Sequence, residues 1–379
     1  MKILILPSKY ITNYSNRNFR ITLTYIKNIL TKFKLNFEDA KQFYYLMEHY
    51  HYAHFPHILG KENTFIIGEY YQDYLTKSIP PYTRYPSLHN SPEATHISFK
   101  DAINSITDYD AVIIGIRSGE YGESLRKIAK KKDILVAYLD YSDHPQIYRT
   151  KTSNQKNIIF RGLKKHNDFD IFFKHDVPIS FDDNDVHPIC PMPLSIENYP
   201  DLEIKNFENR NINISFLGRL HDKLQKERGV MVNFLQKNFN KTYFKRYGFN
   251  DINRQSLIDY SKVLQNSKII FSPSGKVWDS VRHAEAACYK SVPLISKPYC
   301  KLANNLNINK SNSIFYDLRL KKNDFEIINI NQLEEKINHI LNNENIFNEL
   351  SNNWYKEIKN KNTLLKRAEY LINIIRNKL

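Results

Sequence analysis

The stretch 268–298 constrains the fold of this chain more than any other part of the sequence. Its apolar run Ile269–Phe271 is short and is followed at once by Ser-Pro-Ser-Gly, which is typical of a buried parallel strand that ends in a tight loop. Apolar side chains then recur at i, i+3 and i+7 over 281–288, which predicts a helix. The run Val292–Ile295 predicts the next strand. This order of strand, glycine loop, helix and strand is the building block of a parallel α/β sheet.

The loop between this strand and this helix has the features of an anion site. Free backbone N–H groups and the helix dipole converge at a helix N-terminus. Ser274 and Gly275 belong to the loop, and Arg282 and Glu285 lie three residues apart on the helix. A guanidinium donates two parallel hydrogen bonds to a phosphate, and a carboxylate can bind a sugar hydroxyl. The alternative is an exposed ion pair between Arg282 and Glu285, worth about 0.2–0.5 kcal/mol.

The same alternation of apolar runs and helical spacing occurs on both sides of a proline-rich segment at 190–212. Strands are predicted at 2–6, 110–116, 134–139 and 169–174, and again at 212–217, 241–246, 269–271, 292–295 and 312–316. We therefore predict an α/β protein with two tandem Rossmann-like, doubly wound domains and a C-terminal helical tail. The predicted limits are 1–190, a connector at 191–211, 212–330, and helices over 331–379 that pack back across the domains.

The charge of the chain favours anionic ligands. Lys and Arg number 55 against 40 Asp and Glu, a formal net charge of +15, and the excess is spread along the chain. Such a balance suits polyanions, anionic membrane surfaces or phosphorylated ligands. We find neither a basic stripe nor a nucleic-acid-binding motif, so we expect no nucleic acid partner. Lys223, Lys226 and Arg228 are interpreted as a solvated face.

Cysteine content and hydropathy favour an intracellular location. The three cysteines are odd in number and have no metal-ligand spacing, so we expect no disulfide framework. No apolar run approaches the roughly twenty residues of a membrane span. We expect a cytoplasmic protein, with peripheral docking on the inner face of an anionic membrane as a further expectation.

The segment 38–100 is rich in Tyr, His and Pro, and it predicts little regular structure beyond helical turns near 39–50 and 65–75. Its histidines at 49, 51, 54 and 57 include pairs at i, i+3 and i+5. No cysteine or ordered carboxylate set completes a metal site there, and the aromatic residues between them are typical of packing. We predict no metal site.

Candidates for a general base follow two predicted strands of the first half. Ligands of doubly wound sheets bind beyond the carboxyl ends of the strands, and the loops after 110–116 and 134–139 carry acidic and imidazole groups there. Such a group could accept a proton from a hydroxyl, although an Asx turn in Asp-His-Pro is the alternative for the second loop. The candidates, in order, are Asp143, Glu120, Asp140 and His144.

Two motifs in the second half, Phe216-Leu-Gly-Arg219 and Ser272-Pro-Ser-Gly followed by Arg282 and Glu285, resemble those of GT-B glycosyltransferases. The likeness is to exostosin-like and glycosyltransferase family 1/4-type C-terminal domains, over about residues 212–300. It implies a nucleotide-sugar donor bound mainly by the C-terminal domain, an acceptor bound mainly by the N-terminal domain, and no obligatory metal.

Carried onto this chain, the resemblance implies a set of donor-binding residues. Glu285 would hydrogen-bond the donor ribose, and a basic residue in the first loop of the donor domain would meet the pyrophosphate. The implied donor-binding residues are Gly218, Arg219, Ser274, Gly275, Arg282 and Glu285. Val277 stands where many retaining relatives have a glutamate, which slightly favours inverting chemistry.

Together these features predict a glycosyltransferase without metal or cofactor. It would move a sugar from a nucleotide-sugar donor to a glycan or lipid-linked glycan acceptor in surface polysaccharide biosynthesis. Two alternatives stay open. A nucleotide-sugar epimerase of the same fold would need the donor site but no acceptor, and a basic nucleic-acid-binding protein would need neither.

Overall fold

The computed structural model describes residues 1–7, 52–68, 94–115, 118–140, 169–175, 177, 179, 189–191, 203–219, 226–247, 257–274, 278, 280–321 and 324–379. Three residues of the predicted site, Asp143, His144 and Gly275, lie outside these ranges. The chain divides into two compact units, Met1–Met192 with Leu364–Leu379, and Pro193–Thr363.

The first unit contains a sheet of seven parallel strands. Its strands are β1 (Ile3–Leu6), β2 (Thr64–Ile67), β3 (Thr95–Ile97), β4 (Ala111–Gly115), β5 (Leu135–Asp140), β6 (Ile171–Lys174) and β7 (Ile189–Pro191). They lie in the order β3-β2-β1-β4-β5-β6-β7. Every residue of β1, β4, β5 and β6 is buried, and these strands are apolar except for Asp140 at the end of β5 and Lys174 at the end of β6. The strand order changes direction between β1 and β4.

Among the described residues before the connector, three helices precede or connect the strands of the first unit. They are α1 (Phe55–Leu59), α2 (Phe99–Asn104) and α3 (Gly119–Lys131), with 3-10 turns at Lys61–Asn63 and Ile106–Asp108. Helix α2 begins after Ser98, whose hydroxyl accepts a hydrogen bond from the Asp101 N–H at 3.1 Å. Leu125 and Ala129 of α3 pack on the sheet in the same cluster as Val112. The core of this unit therefore lies between the sheet and its helices.

The second unit contains a sheet of five parallel strands and a separate hairpin. The strands are β8 (Ile212–Arg219), β9 (Thr242–Tyr247), β10 (Ser267–Phe271), β11 (Val292–Ser296) and β12 (Ile314–Tyr316). Their order is β12-β11-β10-β8-β9, which changes direction between β8 and β10. The antiparallel hairpin is β13 (Leu318–Lys321) with β14 (Asp324–Ile327).

Helices cover both faces of this second sheet. They are α4 (Lys226–Asn238), α5 (Leu257–Gln265), α6 (Val281–Cys288), α7 (Ile330–Leu341) and α8 (Glu344–Lys361), with a 3-10 turn at Phe207–Asn209. Ile269 and Phe271 of β10 face the cluster built on α4 and α7, whereas Ile270 between them faces α5 and α6. This alternation follows from the two-residue period of a strand. The last helix, α9 (Leu364–Lys378), groups with the first unit.

The predicted fold class is confirmed, since both halves are doubly wound α/β units and three C-terminal helices follow. The prediction of helical turns near 65–75 is wrong for Thr64–Ile67, which form β2, and the predicted turns near 39–50 lie outside the described residues. β2 and β3 have only four and three residues, too few for their alternation to be recognised. Within the described ranges, no helix combines the length and hydropathy needed to cross a bilayer.

Candidate functional site

The candidate site lies at the carboxyl ends of β8 and β10, which flank the change of direction in the second sheet. In open α/β sheets, ligands bind outside the strands at such a point. β8 ends with Gly218 and Arg219, and Ser272–Ser274 follow β10 directly. The predicted donor residues Gly218 and Arg219 therefore lie at the end of one of the two strands that the topology selects, and Ser274 lies just beyond the other. Only the backbone of Arg219 is described.

The side chain of Arg282 extends from α6 to the end of β8. Its Nε donates to the carbonyl of Leu217 at 2.9 Å, and its guanidinium carbon lies 5.6 Å from the centre of the Phe216 ring. A Cβ atom at Gly218 would come within 2.9 Å of Arg282 Nη2 and of Phe216 Cζ. Because residue 218 is glycine, there is space for the Arg282 guanidinium beside it. This contact holds a cation, that of Arg282, at the end of β8.

A second arginine, Arg228 in the first turn of α4, binds the loop after β10. Its Nε and Nη2 donate to the carbonyl of Ser274 at 2.9 and 2.7 Å, and only 6% of its surface is exposed. The interpretation of Arg228 as a solvated charge is therefore wrong. Lys226, two residues earlier, is exposed as expected, while Lys223 lies outside the described residues. No local pattern distinguishes the buried member of this cluster from the exposed one.

The imidazole of His283 contacts residues at both ends of the loop between β10 and α6, as far as that loop is described. Its Nδ1 lies 2.7 Å from the hydroxyl of Ser272, and its Nε2 lies 3.0 Å from the carbonyl of Trp278. A carbonyl only accepts hydrogen bonds, so in the neutral imidazole Nε2 carries the hydrogen and the Ser272 hydroxyl donates to Nδ1. The Trp278 indole donates in turn to the carbonyl of Ser296 at 3.0 Å. Sequence reasoning missed these residues, because their pairing depends on how β10 and α6 are placed.

Hydroxyl groups link the carboxyl ends of the three neighbouring strands β10, β11 and β12. The hydroxyls of Ser274 and Ser296 lie 2.8 Å apart, and Ser296 of β11 is the register partner of Tyr316 of β12. Burial is the largest cause that raises the pKa of the Tyr316 hydroxyl, and Glu227 raises the same pKa further. Tyr316 therefore stays protonated and can donate hydrogen bonds. These contacts make the carboxyl edge of the sheet a connected polar network.

Glu285 lies inside the unit rather than at its surface. Its relative exposure is 0%, and the Tyr260 hydroxyl of α5 donates to its Oε2 at 2.5 Å. Burial raises the pKa of the neighbouring Tyr289, and the Glu285 carboxylate contributes to the same shift. The alternative of an exposed ion pair with Arg282 is excluded, because the carboxylate is enclosed. The role of Glu285 as a ribose ligand stays a prediction.

In the first unit, two of the four candidate bases are described. Asp140 ends β5 and lies 3.3 Å from Lys174 Nζ, its register partner on β6, and both side chains are almost completely buried. Glu120 is exposed in the first turn of α3, the helix that follows β4 at the change of strand direction. Topology therefore places Glu120 at the ligand-binding edge of this sheet, while Asp140 takes part in a buried ion pair. Their roles as bases stay predictions.

Of the histidines at 49, 51, 54 and 57, two are described, and both belong to the surroundings of α1. His54 and His57 line a cavity of about 490 Å³ together with Ile58, Leu365 and Glu369. Burial, and then the nearby His54, lower the pKa of His57. Among the described residues, no group of three or more His, Cys, Asp or Glu side chains could hold a metal ion.

The second half of the chain matches a known family model. Residues 197–378 match the family described as the RXYLT1 C-terminal domain. This match confirms the predicted resemblance to exostosin-like glycosyltransferase C-terminal domains. It also extends the resemblance from 212–300 to the helices that follow. No curated protein matches the sequence.

Several solved structures are similar over most of the chain, all at low identity. A glycosyltransferase from Rickettsia africae ESF-5 has 12% identity and a TM-score of 0.49 over 100% of this chain and 98% of that one. The lipopolysaccharide outer core galactosyltransferase WaaB in its apo form has 10% identity and a TM-score of 0.47 over 100% of both chains. A GtfA/B complex has 13% identity and a TM-score of 0.46, and the match covers 71% of this chain and 57% of that one. Likeness this distant does not bear on activity.

Proposed function

We propose that the chain is a glycosyltransferase whose second unit binds a nucleotide-sugar donor between the ends of β8 and β10. The observation that carries this proposal is the position of Arg282, whose guanidinium lies on the end of β8 against Gly218. The loop after β10, beside it, has its backbone and hydroxyls held by Arg228, His283 and Ser296. The family match over 197–378 supports the same assignment.

The proposed reaction is a single displacement at the anomeric carbon of the donor sugar. An acceptor hydroxyl oxygen attacks this carbon while its bond to the diphosphate oxygen breaks, and the nucleoside diphosphate leaves with the electron pair. Arg282 and Arg219 would stabilise the negative charge that develops on the diphosphate, because prearranged cations need no reorganisation at that moment. Val277, which stands where many retaining relatives have a glutamate, slightly favours inversion at the anomeric carbon.

The proton of the acceptor hydroxyl would pass to a base of the first unit. Asp143 remains the first candidate and lies outside the described residues. Of the two described candidates, Glu120 is the one that is exposed, and it lies beside the change of strand direction. A base must be exposed in this way to receive a proton from an acceptor. The proposed acceptor is a glycan or lipid-linked glycan. Docking on an anionic membrane stays a prediction, and the net charge of +15 supports it.

Calorimetric titration with UDP, GDP, ADP and CMP tests the donor site. We expect one nucleotide to bind, and Arg282→Ala to weaken that binding at least tenfold, or about 1.4 kcal/mol, because a charge-assisted contact is lost. Arg319→Ala is the matched control. Arg319 belongs to the same unit and carries the same charge, but it is exposed on the hairpin and paired with Glu326.

The outcomes separate the candidate functions. If no nucleotide binds, or if both variants lose affinity equally, the donor-site proposal fails. Conversion of a nucleotide sugar to an isomer of equal mass without any acceptor would instead support the epimerase. Transfer to an added glycan acceptor, with release of the nucleotide, would establish the transferase.

A further inference from the structure

Tyr121, in the first turn of α3, leaves 44% of its surface exposed. Among the described residues of the first unit, no other tyrosine, phenylalanine or tryptophan is exposed as far. A single exposed apolar side chain is ordinary, so the exposure alone assigns Tyr121 no role. Its place in the fold is informative, because α3 follows β4 and begins at the carboxyl edge of the first sheet, where ligands of such sheets bind.

A second aromatic ring lies against Tyr121 at the same edge. Phe99 begins α2 just after β3, so α2 also starts at the carboxyl edge. Both helices pack on one face of the sheet, because Ala102 of α2 and Ala129 of α3 share a core cluster with alternate residues of β4. The centres of the Phe99 and Tyr121 rings are 4.9 Å apart. The first turns of α2 and α3 are therefore neighbours, and the change of strand direction lies between the two strands that precede them.

The contact with Phe99 holds the Tyr121 ring without covering both of its faces. The two ring planes make an angle of 78°, so Phe99 meets at most one face of Tyr121. Phe99 is itself packed against the core cluster of the first unit, which fixes the pair to the sheet. A ligand that stacks on Tyr121 would therefore find the ring in place and would not have to order it.

Polar side chains of α3 lie beside this ring. Glu120 and Ser124 are both exposed. Ser124 comes three residues after Tyr121 and four after Glu120, so on the helix surface it neighbours both. A carboxylate accepts hydrogen bonds, whereas a hydroxyl both donates and accepts. The start of α3 thus offers an aromatic face, a charged acceptor and a hydroxyl within two turns of one helix.

These three groups match the chemistry of a pyranose ring. One face of a pyranose carries mainly C–H groups, which are apolar and slightly positive, and its rim carries hydroxyls. The face of an aromatic ring is negative, so the C–H groups stack on it and apolar surface leaves water. The Glu120 carboxylate accepts a hydrogen bond from a hydroxyl but repels a phosphate, so a neutral sugar fits this surface better than a nucleotide does.

We propose that Tyr121 stacks on a pyranose ring of the acceptor, and that Glu120 and Ser124 bind hydroxyls of the same sugar. Phe99 is a positioning residue, because it acts through the Tyr121 ring. This inference rests on the proposed function, since that function takes the acceptor to be a glycan. It places a surface that selects the acceptor by its ring on the same turn of α3 as the base candidate Glu120.

Saturation-transfer NMR with the methyl glycosides of glucose, galactose, mannose, N-acetylglucosamine and rhamnose tests the inference. We expect at least one of them to bind the wild type through its ring C–H protons. Tyr121→Ala should raise the Kd of that glycoside by about fivefold or more, because the stacking surface is lost, whereas Tyr121→Phe keeps the ring and should stay within about twofold. Tyr355→Ala is the control and should leave the Kd unchanged, since Tyr355 belongs to the second unit and contacts Lys290 and Lys359.

Fluorine NMR of the protein labelled with fluorotyrosine gives a second test, which holds even if Tyr121→Ala does not fold. The signal that is missing from Tyr121→Phe belongs to Tyr121. We expect the bound glycoside to shift this signal and UDP to leave it in place. A signal that shifts with UDP alone would overturn the inference, because the ring would then stack on a nucleobase.

Failure of the inference is distinct from failure of the proposed function. A wild type that binds a nucleotide but none of the glycosides overturns the inference alone, and so does equal affinity of the wild type and Tyr121→Ala. A wild type that binds no nucleotide overturns the proposed donor site, whatever the glycosides do. In the transfer reaction, Tyr121→Ala should raise the KM for the glycoside more than it lowers kcat, with the Kd of the nucleotide within about twofold of the wild type.

Discussion

Arg282 and Glu285 are three residues apart on α6, yet their side chains enter different surroundings. Arg282 reaches the end of β8, where its Nε binds the carbonyl of Leu217. Glu285 is enclosed among the residues of α5 and α6 and accepts a hydrogen bond from Tyr260. Contact between Glu285 and a ribose therefore requires the side chains that cover it to move when the nucleotide binds.

Replacement of Glu285 by glutamine tests the ribose contact. We expect Glu285→Gln to weaken binding of whichever nucleotide the wild type binds by about tenfold, about 1.4 kcal/mol, because a hydrogen bond from the ribose to the carboxylate is lost. Affinity for inorganic pyrophosphate should not change, since pyrophosphate has no ribose. Both affinities can be measured by calorimetry. Tyr260→Phe is the control, because it removes the same internal hydrogen bond from the side of its donor. If Glu285→Gln weakened the binding of the nucleotide and of pyrophosphate equally, Glu285 would serve packing alone.

At the scale of single elements, α4 carries two adjacent residues with opposite surroundings. Arg228 is buried against the loop after β10, whereas a Cβ atom at Gly229 would meet no heavy atom within 4 Å. Glycine in a helix loses more conformational entropy on folding than alanine does. Gly218 in β8 differs, because a Cβ atom there would press on Phe216 and Arg282.

Gly229→Ala is therefore expected to stabilise the ligand-free protein by about 0.5–1 kcal/mol, and to raise Tm by about 1–4 °C, since alanine fits the helix and the space is open. Differential scanning calorimetry measures both. Gly218→Ala is the opposite control, with an expected loss of about 1–3 kcal/mol from overpacking. A lower Tm for Gly229→Ala would show that the space beside α4 is needed by the fold.

At the scale of the whole molecule, the three C-terminal helices divide between the two units. Helix α8 belongs to the second unit, where the Trp354 indole donates to the carbonyl of His283 at 2.9 Å. Helix α9 belongs to the first unit, where it packs on α1 and buries Leu364, Ala368, Leu371, Ile372 and Ile375. The first unit is therefore completed by residues from the far end of the chain.

Deletion of 364–379 is expected to destabilise the first unit and spare the second, because the apolar face that covers α1 is removed. Hydrogen exchange should accelerate in peptides of β1 and α1 and stay unchanged in β8 and β10. Lys378→Ala, at an exposed position of α9, should alter neither. Faster exchange throughout the second unit as well would contradict this assignment of α9.

Local patterns predicted the longer elements well. The strands β4, β5, β8 and β10 and the helix α6 occur within a few residues of their predicted limits. Hydrophobic periods of 2 and 3.6 residues are properties of adjacent positions, so a single sequence displays them. The hairpin of β13 and β14 and the short strands β2 and β3 were not predicted, because a few residues with mixed burial show no clear period.

The sequence by itself determined the α/β class, the restart of the pattern after the connector, and the strand, loop and helix of 268–298, because each depends on the order of nearby residues. Only the tertiary structure decided that Arg228 is buried while Lys226 is exposed, that Glu285 faces Tyr260, and that α9 belongs to the first unit. These facts depend on contacts between residues far apart in the chain. The physical reason is that the cost of burying a charge is set by the partners that folding brings to it.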